Sequence, residues 1–494
     1  MSTFMTRLAQ DTAGNTLAIF AAALIPLTIM IGSGLDISIT YMARAKLQNA
    51  CDSAVLAGRQ AMQGNNWNNS AEGEARKLFN FNFPAGTHGV QDAVFELDQD
   101  EDDPSQIVGR ARGTVPTSLM NIFGYDEMKI SAACDAKRDL GHNDVMVVLD
   151  VTGSMNDAPS NGLGTKIERL REGAIGLYRA LDDQEGGSIT RFGLMPYSHT
   201  VNVGRSLDNR DILVDQQYVD RERVCNWWGC NWVTGSKIVH ISQSSWNRGR
   251  GGGGPGNRQY FRESGSACIE ERPSIGNDDN PFEIDEVVRR ADIDDRATNG
   301  NDELRQFGRY DPGVQEGHSQ DGCPSEATRL QEYDDEFDFQ AAVNAATARV
   351  TGGTYHDVGM LWGTRFLSRT GFFASDNPEE INDIPVNQHI VFMTDGMLDT
   401  GDRLYSAHGV ERYQGRTQGF GSQDARHLSR FDSTCDVAKS MGITIWVIAL
   451  DVEDTGDVEP CATSEAHFYT SDGSDLEEIF EAIGQGIGNL RLTR

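Results

Sequence analysis

The sequence predicts an α/β protein with a doubly wound, mostly parallel sheet that carries a large insertion, preceded by an N-terminal transmembrane helix and a small strand-rich module. Three observations lead to this prediction. Four short runs are apolar throughout, as in strands buried on both faces. Amphipathic segments alternate with these runs, and a long uncharged stretch lies near the amino terminus. The chain has 494 residues, which is enough for more than one folded unit.

The uncharged stretch covers residues 12–35 and reads TAGNTLAIFAAALIPLTIMIGSGL. A helix needs about 20 apolar residues to cross a bilayer, and residues 16–35 meet that length. A cleaved signal peptide is the alternative, but its apolar core would be only about 7 to 15 residues long. The helical spacing continues beyond the stretch. We therefore expect a retained single-pass anchor and an extended helix over residues 1–62.

Residues 75–140 predict the small strand-rich module. Their short alternating runs, AVFELD and IVGRARGTV, flank an acidic turn, and MKISAACDAKR follows. The acidic turn, Asp98 to Asp103, is expected to be a solvated surface, with a calcium site as the alternative.

The α/β pattern begins at residue 144. The four apolar runs are VMVVL (145–149), RFGLMPY (191–197), HIVFM (389–393) and ITIWVIAL (443–450). Amphipathic helical segments separate them, which predicts a doubly wound sheet formed by residues 144–198 and 337–494. Between them, residues 199–336 show no sustained periodicity. Because structureless loops of this length are rare, we expect an inserted, disulfide-bearing subdomain or lid.

Eight cysteines lie at positions 51, 134, 225, 230, 268, 323, 435 and 461, and none forms a CxxC pair. This spread favours disulfides in an oxidising compartment over a zinc site. The body of the chain is thus expected outside the cytoplasm; reduced thiols in a cytosolic body are the alternative. Within the insertion, proximity alone suggests Cys225 with Cys230 and Cys268 with Cys323, although four cysteines allow three connectivities.

The tryptophans and the glycine run of the insertion are expected to have structural roles. Trp227, Trp228 and Trp232, beside Cys225 and Cys230, are expected to form the core of a disulfide-held lobe, with a sugar-binding platform as the alternative. The glycine run at 251–254 lacks the Lys-Ser/Thr that follows in a phosphate-binding loop, so it predicts a flexible hairpin tip.

Charge and motifs exclude several functions. The net charge is -31, from 74 acidic and 43 basic residues, and such a surface repels nucleic acid phosphates. The sequence has no P-loop, GxSxG or HExxH motif, and its ten histidines show no metal-ligand spacing. We expect a binding protein rather than an enzyme.

The stretch VMVVLDVTGSM places Asp150, Thr152 and Ser154 directly after a buried strand. Ligands of open α/β sheets bind beyond the carboxyl ends of the strands, and alternate residues of an extended loop can point the same way. A carboxylate and two hydroxyls suit Mg²⁺, with Mn²⁺ or Ca²⁺ as alternatives, better than Zn²⁺. Capping of the following helix by Asp150 and Ser154 is the structural alternative.

Two further stretches supply matching oxygens. Thr354 lies in a glycine-rich turn before a predicted helix, and HIVFMTDGM places Asp395 just after a buried strand. His356 and Asp357, beside Thr354, are expected to be polar residues of a helix start, with tuning of the site as the alternative.

Together these residues resemble the metal-ion-dependent adhesion site (MIDAS) of von Willebrand factor type A (vWA) domains, with the pattern D-x-S-x-S, a distant Thr and a distant Asp. The resemblance implies that Asp150, Thr152, Ser154 and Thr354 lie in or near the metal's ligand set, and that Asp395 lies near the metal, often through water. It also implies a protein partner that donates a carboxylate to the metal. A vWA domain whose metal is only structural or lost is the alternative.

With the N-terminal segment included, the chain resembles the TadG-like proteins of the tight adherence (Tad, or Flp) pilus system of Gram-negative bacteria. DTAGNTLAIFAAALIPL, GLDISITYMARAKLQNACDSAVLAG and GTVPTSLMNIFGYDEMKISAACDA resemble the TadE/TadG part, and LDVTGSM, GGTYHDVGMLWGTRFLS and the residues from 435 onward resemble the vWA part. The resemblance covers about the first 150 and the last 150 residues.

The resemblance implies a single-pass inner-membrane protein with its body in the periplasm or associated with the cell surface. Its expected roles are Tad/Flp pilus assembly, surface adhesion or envelope anchoring, with pilus or envelope components as partners. It also implies a bridge between Cys435 and Cys461. The alternative function is that of a membrane-bound vWA chaperone subunit that works with a cytosolic ATPase, which would require reduced cysteines in the cytoplasm.

Overall fold

The computed structural model consists of two compact units, residues 1–140 with 489–494 and residues 141–488. It describes residues 12–62, 67–100, 106–137, 141–162, 164–182, 188–241, 258–263, 265–276, 282–315, 322–382, 384–452 and 454–488. The glycine run at 251–254 and positions 101–103 of the acidic turn lie outside the described residues.

The first unit contains two helices and one antiparallel sheet with the strand order β1-β2-β3. The helices are α1 (Thr12–Gln60) and α2 (Asn69–Asn82), and the strands are β1 (Gln91–Gln99), β2 (Gln106–Pro116) and β3 (Glu127–Lys137). Strands β2 and β3 alternate buried and less buried residues, as the run IVGRARGTV predicts for a sheet with one covered face, whereas β1, which contains AVFELD, buries Phe95 alone of its residues.

The carboxyl half of α1 packs against this sheet through small side chains. Ala43, Leu47, Ala50 and Ala54 recur at spacings of three and four residues and are fully buried, in one cluster with side chains of β2 and β3. The disulfide between Cys51 and Cys134 joins the same face of α1 to β3.

The amino half of α1 leaves large apolar side chains exposed, among them Phe20, Met30 and Ile31. Within the described residues, one helix is long and apolar enough to cross a membrane, and it covers this region. Beyond this region the helix contacts the rest of the first unit. Asp36 is buried there and accepts hydrogen bonds from the backbone N–H groups of Ser118 and Met120. The predicted apolar helix is thus confirmed, and its uncharged stretch ends one residue before this anchored carboxylate.

The second unit contains a mixed sheet of seven strands: β4 (His142–Asp150), β5 (Thr190–Tyr197), β10 (Thr328–Gln331), β11 (Glu380–Ile381), β12 (Ile384–Thr394), β15 (Thr444–Leu450) and β16 (Phe468–Ser471). Their order is β10-β5-β4-β12-β15-β16, and β11 pairs with β12. The pairs β5-β4, β4-β12, β12-β15 and β15-β16 are parallel, whereas β10 pairs with β5, and β11 with β12, in antiparallel fashion. The predicted mixture of helices and sheet is confirmed.

The remaining elements of this unit are helices and short hairpins. The helices are α3 (Lys166–Asp182), α4 (Arg258–Glu263), α5 (Arg290–Asp294), α6 (Glu336–Ala346), α7 (His356–Leu367), α8 (Glu411–Gln414), α9 (Gln423–Ser440) and α10 (Leu476–Ile487). The hairpin strands are β6 (Asp215–Asn226), β7 (Gly229–His240), β13 (Tyr405–Ser406) and β14 (Gly409–Val410), and β8 (Ile269–Glu270) pairs with β9 (Gly308–Arg309).

Strand β4 shows why the run VMVVL is apolar throughout. Val145 and Val147 face a core shared with α3, α6 and α10, whereas Met146 and Val148 face a second core shared with α7 and α9. Side chains of a strand alternate between the two faces of the sheet, so helices on both faces require an apolar residue at every position. The sheet is therefore covered on both sides.

The structure places residues 199–336 within the second unit. Val201, Val203 and Phe307 are buried in the core that contains α7 and α9. A buried ion pair reinforces this docking, because the two terminal guanidinium nitrogens of Arg365 on α7 each lie 2.9 Å from a carboxylate oxygen of Glu271. Strand β10 also belongs to this interval, and its four half-exposed residues give no detectable apolar run.

The disulfides of this unit join Cys225 to Cys230, Cys268 to Cys323 and Cys435 to Cys461. The predicted pairings are confirmed. The last of them links α9 to the turn that follows β15.

The expectation that the insertion tryptophans form a core is wrong. Trp227 and Trp228 are completely exposed and Trp232 is more than half exposed. Trp227 and Trp228 are the two residues between β6 and β7, at the tip of a two-stranded hairpin whose end is covered on neither face. The disulfide between Cys225 and Cys230 closes this tip without building a core around it.

Replacing Trp227 or Trp228 by serine is expected to leave the thermal unfolding midpoint of the full chain in detergent unchanged, since exposed positions contribute within about 0.5 kcal/mol. The matched control is Trp362→Ala, because Trp362 is fully buried and such truncations cost about 3 to 5 kcal/mol. A large drop for Trp227→Ser or Trp228→Ser would show that the tip is packed.

Candidate metal centre

The candidate site lies where the sheet changes its winding direction. From β4 the chain proceeds to β5 on one side, and β12, on the other side of β4, proceeds to β15. Strand β4 ends at Asp150 and its parallel neighbour β12 ends at Thr394. In open α/β sheets the loops separate at such a point and leave a crevice beyond the strand ends.

Asp150 is completely buried and its carboxylate joins three segments. Oδ1 accepts a hydrogen bond from the Thr152 N–H at 2.9 Å, and Oδ2 accepts hydrogen bonds from the Thr394 and Tyr197 hydroxyls at 2.8 and 3.2 Å. Burial raises the pKa of Asp150, because a low-dielectric environment disfavours its charge. The carboxylate is thus held by donors from the loop that follows β4 and from the last residues of β5 and β12.

Three oxygens converge beside Asp150. The hydroxyl oxygens of Thr152 and Ser154 lie 3.2 Å apart, and the Ser154 hydroxyl donates to Asp395 Oδ1 at 2.8 Å. Adjacent oxygens around an octahedral Mg²⁺ lie about 3.0 Å apart, given metal–oxygen distances of about 2.1 Å. The observed separations therefore match neighbouring ligand positions of such an ion.

Asp395 has a buried oxygen without a hydrogen bond. Among the described residues, its Oδ2 accepts none and forms an ion pair with Lys166 Nζ at 3.2 Å. Burial and the nearby Asp150 charge raise the pKa of Asp395 to about 6, while Lys166 acts in the opposite direction. Lys166 is also 3.6 Å from Asp451 Oδ2. A divalent cation would stabilise the charged form of this buried carboxylate.

The glycine-rich turn that contains Thr354 packs against the 151–154 loop. The Gly153 N–H donates to the Gly352 carbonyl at 3.1 Å, and the Thr351 N–H donates to the Val151 carbonyl at 2.8 Å. Gly352 has φ +86°, and a Cβ there would lie 2.6 Å from His199 Nδ1, so only glycine fits. Thr354 is buried. The structure thus brings the turn of Thr354 beside Asp150, Thr152, Ser154 and Asp395.

Sequence reasoning missed the supporting residues Tyr197 and Lys166, and it gave His356 a role at the site only as the alternative. The hydroxyl oxygen of Tyr197, the last residue of β5, lies 3.0 Å from His356 Nδ1. His356 Nε2 lies 3.1 Å from the Gly396 carbonyl oxygen. Lys166 begins α3 and reaches Asp395 across 229 positions of sequence. Nothing in the local pattern marks Tyr197 or Lys166. His356 has specific buried partners beyond its place at a helix start.

Comparison with known proteins adds one family match. Residues 14–63 match the family model described as "Putative Flp pilus-assembly TadE/G-like". This match supports a pilus-related function. No match was found among curated proteins.

Solved structures give distant similarities. The pilus adhesin SpaC from Lactobacillus rhamnosus GG is 11% identical, with a TM-score of 0.34, over 80% of this chain and 34% of SpaC. The vWF domain of the type V pili tip protein Mfa5 from Porphyromonas gingivalis is 12% identical, with a TM-score of 0.31, over 70% of this chain and 95% of that domain. The tip pilin GBS104 from Group B Streptococcus agalactiae is 9% identical, with a TM-score of 0.32, over 82% of this chain and 71% of GBS104. The chain spans about a third of SpaC, and similarities this low carry no functional argument.

In metal-free protein, the contribution of Asp395 to the free energy of unfolding should fall as pH rises from about 4 to about 6. The pKa of Asp395 is about 6 in the folded state against 3.8 ordinarily, so the folded state binds more protons in this window and loses stability as they leave. Asp395→Asn should lose this part of the pH dependence. Thermal midpoints of both proteins, recorded with a chelator across this range, test it; parallel profiles would contradict it.

Proposed function

We propose that the second unit is a vWA domain that binds a protein partner through a divalent metal ion, in a membrane-anchored protein of Tad/Flp pilus assembly, surface adhesion or envelope anchoring. The role is binding rather than catalysis. The observation that carries the proposal is the convergence of Thr152 Oγ1, Ser154 Oγ and Asp395 Oδ1 at the crevice beyond β4 and β12.

The strand order supports the vWA assignment. Numbered along the chain, the strands β4, β5, β10, β12, β15 and β16 lie in the order 3-2-1-4-5-6, which is a doubly wound order with its ligand crevice between strands 1 and 4. Asp150 is the last residue of the first of these strands, and Asp395 directly follows the second.

The donor set fits a hard divalent cation. Asp150, Thr152, Ser154, Thr354 and Asp395 would hold the ion directly or through water, with Mg²⁺ preferred over Mn²⁺ or Ca²⁺. When bound, the ion supplies a positive centre that accepts a carboxylate from the partner. Hydroxyl ligands leave that charge less neutralised than carboxylates would. Asp150, already saturated by three donors, positions the Thr152 and Ser154 loop.

The anchor and the disulfides support a location in the envelope. The amino half of α1 exposes apolar side chains that a bilayer would cover. All eight cysteines form disulfides, and disulfides persist in oxidising compartments such as the periplasm. We infer a single-pass inner-membrane protein with its body in the periplasm. Reduced cysteines facing a cytosolic ATPase would require the opposite arrangement.

Mg²⁺ at about 100 times its dissociation constant should stabilise the full chain by about 2.7 kcal/mol. Ser154→Ala should lose this stabilisation, because it removes one hydroxyl of the donor set, while the exposed Ser236→Ala is the matched control. Thermal midpoints with and without Mg²⁺ measure the effect.

In cells of a strain with Tad pili, Ser154→Ala should reduce surface pili or attachment and Ser236→Ala should not. Normal pili and attachment despite lost metal binding would reject the proposed function.

Alkaline phosphatase fused to the carboxyl terminus should be active in a Gram-negative host, since this enzyme folds only after export. The fusion tests the compartment independently of metal binding. Inactivity of a stable fusion would place the metal centre in the cytoplasm and favour the chaperone alternative.

A further inference from the structure

A second cluster of metal-binding side chains lies apart from the candidate metal centre. Asp357 is the second residue of α7, His408 lies in the turn between β13 and β14, and His427 lies in the second turn of α9. One ligand atom of each lies within 4.8 Å of the other two. Their exposed fractions are 1%, 2% and 0%.

Several polar atoms of this cluster lack partners. Within the described residues, Asp357 Oδ1, both ring nitrogens of His408 and His427 Nε2 are buried and make no hydrogen bond. A buried polar atom without a partner lowers the stability of the folded protein. An imidazole nitrogen without a hydrogen-bond partner is available to bind a metal ion.

The distances fit tetrahedral coordination. Asp357 Oδ2 lies 3.0 Å from His427 Nδ1 and 3.4 Å from His408 Nε2. Zinc–nitrogen and zinc–oxygen bonds of about 2.0 to 2.1 Å give ligand separations of about 3.3 Å in a tetrahedron. The edge to His408 therefore already has this length, and the edge to His427, a hydrogen bond without the metal, would lengthen by about 0.3 Å.

We propose that Asp357, His408 and His427 bind a structural Zn²⁺ ion. Two imidazoles with one carboxylate suit zinc, whereas Mg²⁺ and Ca²⁺ prefer oxygen ligands alone. No thiolate competes for the ion, because all eight cysteines are in disulfides. The ion would give His408 Nε2 a partner and join α7, the β13–β14 turn and α9.

Arg430 is the main competitor for the carboxylate. Its Nε donates to Asp357 Oδ2 at 3.2 Å, and His427 Nδ1 lies 3.0 Å from the same oxygen. A metal-free cluster would therefore be an Asp357–Arg430 ion pair with two histidines beside it. That arrangement leaves Asp357 Oδ1 and the His408 nitrogens unpartnered. With zinc bound, Arg430 would serve as the hydrogen-bond partner that orients a ligating carboxylate.

The test uses the oxidised full chain in detergent, stripped with a chelator and dialysed against Zn²⁺. The Ser154→Ala/Asp395→Ala background removes the candidate metal centre, so zinc bound there does not count. In this background we expect one zinc per chain by mass spectrometry and a raised thermal midpoint. Adding His408→Gln or His427→Gln should weaken zinc binding at least tenfold. The matched control is His389→Gln, a buried histidine outside the cluster.

Cobalt provides a readout that does not depend on the folding of the variants. Co²⁺ added to the stripped background protein should give the visible absorption of a tetrahedral ion with nitrogen and oxygen ligands, displaced by Zn²⁺. Absence of bound zinc and of this absorption in the background protein would overturn the proposal. Equal zinc binding by well-folded His408→Gln and His427→Gln proteins would overturn it as well. If Mg²⁺ failed to bind at the candidate metal centre, the proposed function would be contradicted and the zinc proposal would be unaffected.

Discussion

Burial of the Asp150 carboxylate is the constraint on which the crevice depends. A charge removed from water must be matched by donors, and here Thr152 supplies one from the loop after β4, while Tyr197 and Thr394 supply two from the ends of β5 and β12. Tyr197 also lies beside His356, which reaches the Gly396 carbonyl next to Asp395. One buried charge thereby fixes the loops that follow β4, β5 and β12, and with them the positions of Ser154 and Asp395.

The start of α7 links this crevice to the interior behind it. His356 faces the candidate metal centre, whereas its neighbour Asp357 faces His427 and Arg430 of α9. Arg365, further along the same helix, holds Glu271 of the interval 199–336. Helix α7 is buried along its whole length, so its polar side chains must find partners within the protein. The arrangement of the second unit around α7 follows from that requirement.

The sequence predicts those parts of the fold whose signal is local. The apolar runs of β4, β5, β12 and β15 are long enough to identify, and the pattern around Asp150 indicates oxygen ligands at a strand end. Short or half-exposed strands such as β10 and β16 give no such run. Contacts between distant residues leave no local trace either, which is why Lys166 beside Asp395 and His408 beside His427 appear only in the structure.

The position of Asp150 at one end of β4 has a mechanical consequence. The first unit connects to the other end of this strand, at His142. Tension between a membrane anchor and a partner held at the crevice would therefore run along β4. This strand pairs with β12 from His142 to Leu149 and with β5 from Asn143 to Asp150. Such a load acts in shear across two ladders of hydrogen bonds at once, so the strand cannot be pulled out one bond at a time.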